Sequence, residues 1–221
     1  MPVTIVGNNT PTAGGVVYGD GTNYVSSSAG TSGQMLVSGG SGAPTWAAAP
    51  GASALVFISV QTVSSSVAQV DFTSGFSSTY DDYLFILENV VGPTKLAMRV
   101  QKSAAFQTTG YNLSRTLGQA GGPVYEGAIN QSRWTFISAN GMATTNRCYG
   151  SVYLLNVNDT TGRTGCSAQV GCISSTGNSG AQCNLTGEQT TAAALTGVRF
   201  LDEDANNITA GTFRLYGIQK S

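Results

Sequence analysis

DYLFILENVV (82–91) and KLAMRVQK (95–102), separated by Gly92, Pro93 and Thr94, decide the fold class. In the second segment Leu96, Met98 and Val100 recur at every other position, while Lys95, Arg99 and Gln101 interrupt the rest. Side chains of an extended strand alternate between faces, so this pattern predicts strands with one apolar and one wet face. A Gly-Pro pair between the two segments supplies a turn and cannot continue a ladder. The same reading extends to LVFISVQTV (55–63), VAQVDFT (67–73), RWTFIS (133–138), CYGSVYLLNV (148–157), GVRFLD (197–202) and GTFRLYGIQ (211–219). In the last of these Arg214 stands between Phe213 and Leu215. No stretch combines helical apolar spacing with capping residues, so residues 51–221 are expected to be all-β, a sandwich or barrel. About 170 residues suffice for a core of their own.

Residues 1–50 read differently. Between Met1 and Val70 the only charged side chain is Asp20, in a background of Gly, Ser, Thr and Ala. Disordered tails stay soluble through charge and a shortage of apolar groups, whereas this segment is punctuated by aromatic and aliphatic residues. Its apolar residues are too sparse to close a core within one chain. We therefore expect an extended attachment and oligomerisation arm, with Val3, Ile5, Val16, Tyr18, Tyr24, Leu36 and Trp46 as its contacts. Trp46 has an alternative use as a cap on the sandwich of its own chain. WAAAPGAS (46–53) marks the boundary.

Composition narrows the chemistry. The ten Lys and Arg lie scattered from Lys95 to Lys220 and the net charge is −1, so the basic patch needed to neutralise phosphates is missing and no nucleic-acid partner is expected. The longest apolar run, around Leu55 to Val60, is strand-sized, and no membrane insertion is expected. The start, MPVTIVGNN, lacks basic residues followed by an apolar core, so no secretory signal is expected. The chain contains no histidine, which removes Ser-His and Cys-His nucleophiles and leaves carboxylates for proton transfer. Asp81, Asp82, Glu88 and Glu126 are the candidates for a glycosidase-like pair. Asp202, Asp204 and Asn206 have the spacing of a calcium loop, but Asn207 replaces its turn glycine and Phe213 its closing carboxylate. No metal, cofactor or catalytic residue is assigned.

The four cysteines, Cys148, Cys166, Cys172 and Cys183, include no C-x-x-C pair, so zinc is not expected. A two-residue hairpin turn at Gly177-Asn178 would set Cys172 opposite Cys183, a possible cross-strand pair within disulfide range.

Two segments resemble proteins of one class. GGVVYGDGTNYVSSSAGTSGQMLVSGGSGAPTW (14–46) resembles the G-D-G-T-N, A-G-T-S-G-Q and G-A-P-T-W units of tailed-bacteriophage virion appendages. ALTGVRFLDEDANNITAGTFRLYGIQKS (194–221) is similar to the closing strands of their jelly-roll domains, and TYDDYLFILENVV with KLAMRVQK looks like the paired early strands. The resemblance implies a homotrimeric, non-enzymatic virion protein with a jelly-roll body, made in the host cytoplasm and placed on the virion surface. Its partners would be further copies of itself and another virion protein, the major capsid protein or a tail protein. No sequence for a long shaft joins arm to body, which favours a capsid decoration or cement protein. The alternative is a short tail fibre or receptor-binding protein recognising a host surface glycan or protein, with Tyr111, Tyr125 and Trp134 available to stack on sugars.

Overall fold

The computed structural model describes residues 12–49, 55–118, 122–137, 143–173 and 180–219, and among them every regular element is a β-strand. The chain divides into two compact units, Met1–Ser53 and Ala54–Ser221.

In the body the strands are β5 (Leu55–Val63), β6 (Gln69–Phe72), β7 (Tyr80–Val91), β8 (Leu96–Lys102), β9 (Ala105–Phe106), β10 (Tyr111–Gly118) and β11 (Val124–Gln131). They continue with β12 (Trp134–Thr135), β13 (Arg147–Leu155), β14 (Thr164–Ile173), β15 (Gly180–Gln189), β16 (Leu195–Asp202) and β17 (Ala210–Gln219). Strands β5 to β8 alternate between two antiparallel sheets, and so do β12, β13, β16 and β17. One contains the order β5-β17-β7-β13 and the other β6-β16-β8-β12, the interleaving that defines a jelly roll. Two inserted hairpins, β10-β11 and β14-β15, enlarge the first sheet to eight strands in the order β11-β10-β15-β14-β13-β7-β17-β5. The short β9 pairs with β8 at the margin of the smaller sheet.

Alternation decides what each strand buries. On β17, Phe213 and Leu215 are fully buried while Arg214 and Tyr216 point away from the core. The sheets are joined by four phenylalanine rings: Phe72 of β6 and Phe200 of β16 from one, Phe85 of β7 and Phe213 of β17 from the other. Edge-on contacts link Phe85 to Phe72 and to Phe200, each at 5.2 Å between centroids, and Phe200 lies 5.1 Å from Phe213. Tyr111 and Trp134, considered above as sugar-stacking groups, are instead buried core residues in a T-shaped pair at 5.0 Å. The Tyr111 hydroxyl accepts from Val100 N–H and donates to the Gln107 carbonyl; the Trp134 indole donates to the Asn112 carbonyl.

The turn expected at Gly92-Pro93 needs its glycine twice over. Gly92 has φ +113°, and a Cβ there would sit 2.1 Å from the Asn207 carbonyl oxygen. Nearby, Asp202 holds the β7–β8 turn by accepting from the amides of Thr94 and Lys95, and its other oxygen takes the amide of Asp204. The Asp202, Asp204 and Asn206 cluster is therefore a turn staple. Lys95 bonds Asp204 at 3.0 Å, which holds that carboxyl below its usual range.

Leu215→Ala should cost about 2–5 kcal/mol, the range for a fully buried leucine, because β17 sits between β5 and β7 rather than at a margin. Ser167→Ala, on the exposed side of β14, should stay within about 0.5 kcal/mol of the parent. Chemical denaturation of both variants checks this.

Candidate assembly surfaces

The arm is less extended than its composition implies. β1 (Val17–Gly19) and β2 (Tyr24–Ser26) form one antiparallel hairpin, and β3 (Gln34–Gly39) and β4 (Gly42–Ala48) a second. The first closes on Asp20, whose carboxylate accepts the amides of Asn23 at 2.7 Å and Thr22 at 2.8 Å. Those two bonds hold its carboxyl below the usual range. The G-D-G-T-N unit is thus a side-chain-stapled turn.

Trp46 organises the second hairpin. It stands opposite Leu36, its indole N–H donates to the Ser28 carbonyl at 2.8 Å, and its ring lies against Gly30, where a Cβ would approach within 2.6 Å. It is half-buried inside the arm unit, binding the connecting segment to β3-β4. Val16 and Tyr18 are also half-buried, with the Val16 amide donating to the Ser27 hydroxyl. Tyr24 and Leu36 remain exposed, and Val17, Met35 and Val37 join them. Val3 and Ile5 lie outside the described residues.

The two outer faces of the body differ in kind. On the smaller sheet, Arg99, Arg199 and Asp71 project outward; Arg199 holds Asp71 through two bonds of 2.7 Å and lies 4.0 Å over the Phe106 ring. Salt-bridged side chains of this sort are at home in water. On the larger sheet the outward residues are mostly hydroxyl, amide and apolar. Ser114, Thr186, Ser167 and Tyr153 stand opposite one another across β10, β15, β14 and β13, and Thr116, Asn184, Gln169 and Ser151 form the parallel row. Together they line an open groove of about 530 Å³. Every exposed large apolar side chain of the described body lies on this sheet, including Leu55, Phe57, Val60, Tyr125, Tyr149 and Ile173. Sequence reasoning misses this face because only the strand order brings its residues together; of its exposed aromatics it names Tyr125.

Asp82, Glu88 and Glu126 do not meet. Asp82 accepts the Asn156 amide at 2.9 Å, Glu88 pairs with Arg214, and Glu126 pairs with Arg115. Asp82 and Glu88 are separated by about 20 Å along β7, and Glu126 lies five strand spacings from β7, about 24 Å along the sheet. A glycosidase-like pair needs about 5–10 Å.

The expected Cys172–Cys183 pair is corrected by the ladder. Cys172 faces Ala181 on β15, and Cys183 faces Val170, a two-residue offset that keeps both thiols on the buried side. The proposed turn at Gly177-Asn178 falls outside the described residues. On its other flank Cys172 stands directly opposite Cys148 of β13 and is disulfide-bonded to it. Cys166 and Cys183 carry no disulfide; burial pushes both thiols up, Cys183 to about 12.

A further residue that sequence reading passed over is Lys102, which continues the Leu96, Met98, Val100 parity and is fully buried. Its ammonium donates to the Thr191 carbonyl at 2.6 Å, and burial lowers its pKa.

No family model, curated protein or solved structure matches the chain.

Peptide mapping without reductant should recover Cys148 linked to Cys172, with Cys166 and Cys183 alkylated only after denaturation, since a buried thiol far from its thiolate is inert. Recovery of a Cys172–Cys183 link would contradict the register. In the arm, Gly30→Val should lift Trp46 from its seat and shift its fluorescence to the red; Trp134, buried in the body, supplies a constant background.

Proposed function

We infer that this chain is a non-enzymatic structural protein of a tailed-bacteriophage virion, a homotrimeric appendage on the virion surface that decorates or cements the capsid. The arm docks on another virion protein and the jelly-roll body projects. The observation that carries this reading is the arm itself. Two small hairpins present Tyr24, Met35, Leu36 and Val37 to solvent, with Asp20 as the only charge. Isolated hairpins are marginal in water, and such apolar exposure gains its stability from a partner. Surface buried on docking stabilises the particle in the assembled state by mass action.

The dispersal of the carboxylates and the lack of histidine support a structural over a catalytic role. A second reading, a short tail fibre or receptor-binding protein for a host surface glycan, is favoured by the groove beside Tyr153, whose mostly hydroxyl and amide lining matches sugar hydroxyls.

Deletion of residues 1–46 should leave a folded β body, with the circular dichroism and cooperative melt of a sandwich, yet abolish incorporation into particles. Full occupancy by the truncated protein on purified particles would remove the docking role of the arm.

A further inference from the structure

A sheet edge presents unpaired amides and carbonyls, and stable monomers blunt such edges with charge, proline, bulges or shortness. Three of the four sheet margins here follow that rule among the described residues. β12 is two residues long, β6 is four residues long and carries Asp71, and β11 carries the ion-paired Glu126 with a register shift near its end. β5 does not. It is nine residues long, LVFISVQTV, and no charged residue or proline occurs from Gly51 to Val70. Its one irregularity, the register shift beside Ile58, brings Phe57 opposite Tyr216 and Val60 opposite Arg214, so both point outward. Phe57 is 55% and Val60 45% exposed, and the Phe57 ring contacts Tyr216 edge-on at 5.6 Å.

That open edge borders the hydroxyl- and amide-rich outer face of the larger sheet. Four charges on this face pair within the chain, Arg214 with Glu88 and Arg163 with Glu188, while Arg147 at the end of β13 bonds the Asn89 side chain and Asp82 accepts the Asn156 amide. With strands about 4.8 Å apart and about eight residues long, the face offers about 900 Å². A standard stable interface buries about 800 Å² per partner. The charged outer face of the smaller sheet provides the contrast: where the body meets water, it carries arginine and aspartate.

We propose that the outer face of the larger sheet, with the open edge of β5 at its margin, is a self-association surface that takes a second copy of this chain. The inference rests on the homo-oligomeric part of the function proposed above and assigns it a surface. A face rich in hydroxyls across β10, β15, β14 and β13, with arginine–glutamate pairs already matched, meets its own kind leaving few charges to bury, and its tyrosines supply large contact area with a polar tip. The unpaired amides of β5 find acceptors on the neighbouring copy, closing the body margin that, among the described residues, neither charge nor shortness protects.

The test uses the full chain in analytical ultracentrifugation from 1 to 100 μM. The wild type is expected to assemble, and the F57K/V60K variant should weaken association at least 100-fold. Gln69→Lys, an equivalent charge on the edge of the smaller sheet, should leave it unchanged. Hydrogen exchange should find alternate β5 amides protected in the wild-type assembly and fast in the variant. Should F57K/V60K fail to fold, Ser167→Arg makes the same test at the centre of the face without altering the edge. A wild-type oligomer whose affinity stays within threefold in the charged variants overturns the assigned surface and leaves the oligomeric reading standing. A wild-type monomer at 100 μM overturns both. Binding of neutral oligosaccharides to this face, with no association between chains, assigns it to a glycan instead.

Discussion

Four phenylalanine rings, two from each sheet, meet between the layers, and the rest of the body depends on that contact. Phe72 and Phe85 belong to the consecutive strands β6 and β7, Phe200 and Phe213 to β16 and β17 at the other end of the body. Aromatic side chains bury large areas and prefer the edge-to-face geometry seen here, so the cluster fixes both the spacing and the lateral register of the two layers. With the four central strands clamped, the inserted hairpins β10-β11 and β14-β15 extend the larger sheet outward by main-chain pairing, held also by their own buried side chains and by the Cys148–Cys172 bond. The exposed face is a consequence of that extension.

The strands were legible because a period of two is local. Leu96, Met98 and Val100 declare their face without knowledge of any partner, and Phe213 with Leu215 does the same at the other end of the chain. Register and strand order are not local. The assignment of Cys172 to Cys183 rested on an assumed turn length, and a two-residue slip kept both thiols inward while exchanging their partners, since only an odd slip changes face. The bonded partner, Cys148, lies on a different strand, which no turn rule at Gly177-Asn178 reaches. Lys102 shows a limit of the opposite kind: its position satisfied the apolar parity, but its chemical identity argued for the surface.

The same distinction explains the arm. Asp20 and the glycines around it read as turn formers, and a turn is what they make, yet composition alone gave no sign that Trp46 and Gly30 would find each other. A ring lying flat on a glycine backbone is a pairwise fit between residues sixteen apart in sequence, invisible to any window scan. It converts the most prominent candidate for a partner contact into an internal brace and leaves Tyr24 and the β3 side chains as the groups turned outward.

Charge placement gives the strongest clue to how the molecule is used. With only 10% charged residues, the chain has few to spend, and they are spread unevenly over its surfaces. Arg99, Arg199 and Asp71 mark one outer face as wet, while the arm, the β5 edge and the centre of the larger sheet receive almost none. A monomer in water gains nothing by concentrating its neutrality on one sheet and one arm, because every uncharged edge and apolar patch invites uncontrolled pairing. The proposed function would occupy both surfaces, the arm by a particle and the sheet by a neighbour. Protection by a specific partner then replaces protection by charge.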